Sequence, residues 1–488
     1  MTARMLLAIP AVYLMAGVLS LIPLGRWFAR ALTLVASLGA FVLAGGSALR
    51  AIGGSRIVAI PDWIGVDGFG ALLLVLIGFV GALAAVFSWG YMNVRARERG
   101  DRAVRLYHCN FNLFLFSIAT VPMMQEVALA WIAVELTTLL SVLLVGFENT
   151  HEALEAAWKY VILTMIGAAI ALMGVIVLYR ALQQAHGGPF TWSALQEAAP
   201  GLPPVLFEGG FLLLLVGFGT KVGLAPLHTW LPDAHSQAPS PVCAILSGIE
   251  TSVILYVILR LFPVASAQPA IRLQDWVIVF GLVSVGAAAF LLIQVRDLKR
   301  LFAFSTVEQM GIILAAAGFG MASGSPVAPY QIFTHALAKP LCFFAAGSIL
   351  IVAGTREIAG LRGIIRRSPL AGASLLIGGL AITGAPPFAL FLSEFSIIRT
   401  GLSGGHTVAV AFLVAFIVIA FCAVLAHVNR IVFGHSESLP GSGVSLPIAS
   451  SVALVLAIIP VVVFGVWIPQ PVHSLLTLAG ASLGGPAP

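Results

Sequence analysis

The chain has 488 residues, 60% of them hydrophobic and only 9% charged, with a formal net charge of +6. Globular chains are roughly 25% charged, and with a mean hydropathy of +1.06 this composition excludes a soluble enzyme, a nucleic-acid-binding module and a disordered scaffold. What remains is an all-α polytopic membrane protein, whose basic residues sit mainly in loops.

Apolar spans of about 20 residues, the length that crosses a bilayer, fall at 5–24, 31–50, 68–90, 107–124, 127–146, 157–179, 206–227, 240–262, 276–294, 300–320, 328–353, 370–398, 406–426 and 448–468, fourteen in all. The first follows one Arg and lacks an A-x-A site, so it reads as a transmembrane helix and not a signal peptide. The largest connection is 183–204, and there is no soluble domain. Cys109, Cys243, Cys342 and Cys422 lie far apart in apolar segments without metal or disulfide spacing, and read as small buried thiols.

Orientation follows from arginine. One set of loops holds Arg26, Arg30, Arg95, Arg97, Arg99, Arg102, Arg105, Arg296, Arg300, Arg356, Arg362, Arg366, Arg367 and Arg430. The opposite set holds Arg4, Arg50, Arg56, Arg180, Arg260, Arg272 and Arg399. Alternation then places both termini outside a bacterial or archaeal cytoplasmic membrane.

Two spans are interrupted alike: Gly223-Leu-Ala-Pro226-Leu-His228 breaks the seventh and Gly384-Ala-Pro386-Pro387-Phe388 the twelfth. Proline removes a backbone donor and frees carbonyls, which is tolerated inside a membrane where the backbone lines a polar cavity. Equivalent breaks five spans apart imply two inverted five-helix repeats. The organisation is then helices 1–3 in 1–106, repeat one (helices 4–8) in 107–263, repeat two (helices 9–13) in 264–432, and helix 14 with a tail in 433–488.

Six charged residues sit inside apolar spans: Glu135, Lys221, Glu250, Glu308, Lys339 and Glu394. Unpaired, each costs about 2.5–3.5 kcal/mol on insertion scales, so such residues are functional candidates. Only four lysines occur, Lys159, Lys221, Lys299 and Lys339, while loop positives are arginine. A desolvated lysine can release its proton and an arginine cannot. Lys159, Lys299 and Arg300 also read as interfacial anchors. His228, His235 and His335 can relay protons; His228, His235 and Asp233 are an alternative metal-ligand set, but the intervening Pro232 denies them helical spacing.

The stretch Lys221-Val-Gly-Leu-Ala-Pro-Leu-His228-Thr-Trp-Leu-Pro-Asp233-Ala-His235-Ser-Gln-Ala-Pro-Ser-Pro241-Val resembles the signature of the antiporter-like membrane subunits of respiratory complex I, multisubunit Na+/H+ antiporters and membrane-bound nickel–iron hydrogenases of the formate-hydrogenlyase type. Trp131-Ile-Ala-Val-Glu135-Leu, Asp297-Leu-Lys299-Arg300-Leu-Phe-Ala-Phe-Ser305-Thr-Val-Glu308-Gln-Met-Gly311, His335-Ala-Leu-Ala-Lys339 and Ala385-Pro-Pro-Phe-Ala-Leu-Phe-Leu-Ser-Glu394-Phe agree, over about residues 65–430. The resemblance implies fourteen helices, with Glu135 paired to Lys221, Lys339 near an eleventh-helix lysine and Glu394 at the twelfth-helix exit position. The segment Ser305–Gly311 is most similar to the hydrogenase branch (hydrogenase-4 component F-like), and the chain ends too soon after span 14 for the lateral helix of the L-type complex I subunit. Two positions depart from the pattern. Ser252 stands where an eighth-helix lysine or histidine is usual, and Gln309 replaces a tenth-helix histidine.

These readings imply a non-redox, proton-translocating subunit of a membrane-bound hydrogenase-like complex, with Glu135, Lys221, His228, Glu250, Glu308, His335, Lys339 and Glu394 in the proton pathway and Pro226, Pro386 and Pro387 at the breaks. No catalytic residue, metal or cofactor is expected in this chain; the nickel–iron and iron–sulfur centres belong to partner subunits. The alternatives are a Na+/H+ antiporter subunit, a structural membrane-arm scaffold, and an M-type subunit of a NADH:quinone oxidoreductase.

Overall fold

The computed structural model describes residues 2–54, 56–95, 99–185, 187–268, 270, 273–321, 325–435 and 445–484. Arg97 and Arg272, used above for orientation, lie outside the described residues, as does the side chain of Arg95. The fold is almost entirely helical: α1 (Thr2–Leu19), α2 (Arg26–Ile52), α3 (Gly68–Arg95), α4 (Gly100–Thr120), α5 (Val127–Val145), α6 (His151–Ala185), α7 (Trp192–Ala198), α8 (Pro204–Val222), α9 (Trp230–Gln237), α10 (Ser240–Ile245), α11 (Thr251–Leu259), α12 (Phe262–Ser266), α13 (Gln274–Ile293), α14 (Leu298–Gly320), α15 (Val327–Ala353), α16 (Ile364–Arg367), α17 (Pro369–Ile382), α18 (Ala389–Ser403), α19 (Thr407–Phe433), α20 (Ile448–Val466) and α21 (Gln470–Ala481). Eleven helical segments among the described residues are long and apolar enough to cross a membrane.

Each expected span falls on helix, although the first ends at Leu19 instead of Leu24. Three features escaped the apolar periodicity. An antiparallel hairpin, β1 (Ile57–Ile60) with β2 (Ile64–Val66), covers the entry to α3. The short α7 folds part of the long connection back, burying Trp192 and Leu195. Beyond span 14, α21 packs through Leu475, Leu476, Ala479 and Gly480.

The centre of the bundle is α10–α11, α14 and α15, which are buried along almost their whole length. By contrast α2, α6, α19 and α20 leave broad apolar faces exposed, as helices facing lipid or another subunit do. Two sequence readings are corrected. Cys422 is exposed on α19, because an apolar residue on a membrane-facing helix need not be internal. Arg30 is not a loop residue: it lies one turn inside α2 and is 1% exposed.

Both helix breaks occur where proline placed them. The seventh span stops at Val222 and resumes at Trp230; the twelfth stops at Ile382 and resumes at Ala389. Each turns on a left-handed glycine, Gly223 (φ 85°) and Gly384 (φ 70°). Freed backbone groups find partners on neighbouring helices: Ala225 N–H donates to Ser284 Oγ (3.0 Å), and the Ile382 carbonyl accepts from Gln309 Nε2 (3.3 Å). Trp230 Nε1 closes the first break by donating to the Thr220 carbonyl (2.7 Å).

At the second break the Glu394 carboxylate lies against the backbone of Gly384, in the space a Cβ there would occupy. Gly405 is a control, with φ +81° and nothing near its Cβ position. Gly405→Ala should cost only the left-handed backbone penalty of about 1–2 kcal/mol. Gly384→Ala adds a collision and should lower the thermal unfolding midpoint of the purified chain further. Equal shifts for the two would show that the carboxylate does not rest there.

Candidate functional site

The intramembrane charges gather into two clusters, one in each half of the chain. In the first, Lys221 at the end of α8 is 2% exposed. Its ammonium donates to the Val134 carbonyl and to Thr138 Oγ1 on α5. Those acceptors flank Glu135, so Lys221 and Glu135 are electrostatic neighbours without an ion-pair contact. Glu135 turns towards a cavity of about 280 Å3 lined by Trp131, Leu139, Met165 and Ala168, and its Oε1 has no hydrogen-bond partner. Glu250 approaches the same stretch of α5, accepting from Thr137 Oγ1 (2.9 Å). Nearby, the Tyr160 and Ser141 hydroxyls are 2.7 Å apart.

The second cluster repeats the arrangement. Lys339 on α15 is fully buried, and its ammonium donates to the Phe302 carbonyl (2.7 Å) and Ser305 Oγ (2.6 Å) on α14. Both lysines therefore rest on one helix carbonyl and one hydroxyl a turn further along. Glu308 lies three residues beyond Ser305, with Oε2 buried and unpartnered. Gln309 Nε2 reaches Glu394 Oε1 (3.5 Å), and Gln331 Nε2 donates to Gln309 Oε1 (2.7 Å). Gln309, the departure at the usual histidine position, thus ties α14 to both sides of the twelfth-helix break.

Between the clusters runs a π-helical segment, Leu246–Glu250, set between α10 and α11. A single π turn inside an α-helix is a frequent mark of a functional site. Glu250 ends the segment on the Lys221 side. On the other side His335 Nε2 donates to the Ser247 carbonyl (3.0 Å), and the Ser247 and Thr306 hydroxyls are 2.6 Å apart. His335 lies one turn from Lys339. Ser252, where the family pattern would have a basic residue, is buried with its hydroxyl unpartnered. The two clusters meet across the π segment and not at Ser252.

His228 lies in the first break with Nδ1 unpartnered, its ring 6.4 Å from that of Phe304. His235 Nδ1 donates within its own helix to the Leu231 carbonyl (2.9 Å). Asp233 instead pairs with Arg300 and with Lys159 (3.2 Å). The three do not converge, and no group of three potential metal ligands occurs among the described residues.

The remaining lysines separate by environment. Lys299 is not a snorkelling anchor. It is 2% exposed and donates to the Ser236 (3.0 Å) and Ala238 carbonyls, capping α9, whose free carbonyls carry the negative end of the helix dipole. Lys159 is exposed and pairs with Glu155 (2.7 Å) and Asp233. The polar partners Thr137, Thr138, Tyr160, Ser247 and Gln331 were not singled out from sequence, since hydroxyls and amides in apolar helices carry no spacing signal.

Residues 124–420 match the family described as NADH:quinone oxidoreductase/Mrp antiporter, transmembrane region. The chain belongs to this family of antiporter-like membrane subunits. It is 36% identical to a hydrogenase-4 component F homolog of Methylacidiphilum infernorum over 83% of this chain and 85% of that one. Its fold is similar to a chain of an archaeal membrane-bound sulfane sulfur reductase (TM-score 0.85, 25% identity, covering 99% and 98% of the two chains). It is also similar to a chain of the Mrp complex of a Dietzia species (TM-score 0.84, 20% identity, 99% and 97%), a likeness of fold.

Lys299→Met would take a buried charged donor away from the Ser236 and Ala238 carbonyls, which then keep only Arg356 and the Cys243 thiol; hydrogen bonds to a charged group are worth about 1.5–3 kcal/mol. Lys159→Met removes only an exposed pair, worth about 0–1 kcal/mol. Thermal unfolding of the purified chain should show a clear drop for the first and little change for the second.

Proposed function

We propose that this chain is the proton-translocating, non-redox subunit of a membrane-bound hydrogenase-like complex, moving protons through its buried Glu, Lys and His residues while partner subunits transfer electrons. The observation that carries the reading is the setting of Lys221 and Lys339. Each ammonium is held by a carbonyl and a hydroxyl instead of a carboxylate. Neutral acceptors serve a charged ammonium and a neutral amine alike, so loss of the proton leaves no bonded counter-ion stranded. A buried salt bridge, in contrast, is strongly destabilised when one charge is removed.

The proton enters the series at Lys221, under the field of Glu135 and Glu250. It passes by water along the Ser247–Glu250 π segment to His335 and Lys339, and on past Glu308, Gln309 and Gln331 to Glu394. His228 serves a water branch at the first break. Glu135 faces an apolar cavity beside the exposed Ile132 and Leu139. A neighbouring subunit seated there would change the field at Lys221 and so set when its proton leaves. Residues 107–263 and 264–432 act as inverted repeats with both termini outside. In support, α5 and α14, which supply the lysine acceptors, are the second helix of each repeat, and the breaks fall in the fourth.

The hydrogenase-like assignment, with nickel–iron and iron–sulfur centres in partner subunits, is supported by the hydrogenase-4 component F homolog that matches most of this chain. The test is proton pumping by the assembled complex in inverted membrane vesicles. Glu135→Gln and Lys221→Ala should each lower pumping at least several-fold, and Glu250→Gln should do the same. Ser252→Ala, whose hydroxyl has no partner, should pump as wild type. Assembly of each variant is checked by co-purification. Unimpaired pumping by assembled Glu135→Gln and Lys221→Ala complexes would refute the mechanism.

A further inference from the structure

Away from the buried clusters, a basin of about 880 Å3 opens where the end of α13, the start of α14, the loop after α15 and the last turns of α19 meet. Four arginines stand around it: Arg296, Arg300, Arg356 and Arg430. Two are already engaged. Arg300 pairs with Asp233, and Arg356 pairs with Asp297 (2.7 Å) and donates to the Ser236 carbonyl. Among the described residues the guanidinium groups of Arg296 and Arg430 make no hydrogen bond or ion pair, and both side chains are exposed. They come from different elements, Arg296 from the α13–α14 connection and Arg430 from α19.

Leu291, Val295, Phe304 and Ile358 give the basin an apolar wall, beside the polar Gln294, Asp297, Glu357 and His427. Beside the basin, α13 presents Phe290, Leu291 and Ile293 as an exposed apolar flank. A soluble anion would use only the basic half of such a site, whereas an amphiphile uses both. Basic pockets between membrane helices at the bilayer edge suit anionic lipid headgroups, and guanidinium matches phosphate geometry. The remaining carboxylate of the lining, Glu357, bears no ion pair among the described residues. Two free arginines against one free carboxylate favour a singly charged phosphodiester over a doubly charged free phosphate.

We propose that this basin binds the phosphodiester headgroup of an anionic phospholipid through Arg296 and Arg430, with its acyl chains along the α13–α19 flank. The site is separate from the proton series and does not depend on it.

Native mass spectrometry of the full chain, purified in mild detergent and exchanged into phosphatidylglycerol or phosphatidylcholine, tests the proposal. Wild type should retain phosphatidylglycerol in preference to phosphatidylcholine. The double variant Arg296→Gln/Arg430→Gln should retain at least five-fold less. A charge-matched control, Arg4→Gln/Arg366→Gln, should retain as much as wild type. If the double variant does not fold, Arg430→Gln alone should still lower retention. Thermal stabilisation of wild type by phosphatidylglycerol, but not by inorganic phosphate at equal concentration, is expected. Equal retention by the double variant and the control would overturn the proposal. So would a basin-dependent stabilisation that inorganic phosphate alone reproduces, which would make this a soluble-anion site.

Discussion

An ammonium buried in a membrane must find its solvation shell in the chain, and that requirement organises this structure. Lys221 and Lys339 meet it alike, each taking a carbonyl and a hydroxyl from a neighbouring helix. The carbonyls are prepared for it. Phe302 O also accepts from Ser305 Oγ and Thr306 Oγ1, while Val134 O shares the single Thr137 hydroxyl proton with Glu250 Oε1. Hydroxyls that bond back along a helix draw its carbonyls out of the regular ladder. For these contacts to form, α15 packs beside α14, and the end of α8, which packs on α6, comes within a lysine side chain's reach of α5.

The interruptions serve the same need. A continuous helix offers no free backbone to a polar interior. The breaks at Gly223 and Gly384 expose backbone groups that Ser284 and Gln309 satisfy, and the second provides the space for the Glu394 carboxylate. The π segment between α10 and α11 is a milder departure from the helix at the centre of the bundle, with Glu250 and His335 on either side. Departures from regular helix thus coincide with the charged side chains.

Much of this was legible in the sequence because its signals are chemical and local. Apolar length located the helices, Gly and Pro located the breaks, and the scarcity of lysine drew attention to Lys221 and Lys339. The rest depends on tertiary context. Nothing in Leu246–Glu250 distinguishes a π turn from an α turn, so in this helix only Glu250 and the departure at Ser252 stand out from the sequence. Lys299 and Lys159 both lie at the edge of an apolar span in the sequence, yet packing buries one against the α9 carbonyls and leaves the other in a surface ion pair. Glu135 was expected to pair with Lys221. The flanking Val134 and Thr138 reach the ammonium first, because on a helix the carbonyl and the hydroxyl one turn on share a face that the intervening residue does not.

The central claim is that Lys339 is a site where a proton loads and leaves, and not merely a buried charge. Lys339→Arg keeps a positive charge and donors for Phe302 O and Ser305 Oγ but does not release its proton. The decisive measurement is the proton-to-electron ratio of the assembled variant complex in inverted vesicles. The account predicts electron transfer with a lowered ratio, whereas a ratio equal to wild type would contradict it.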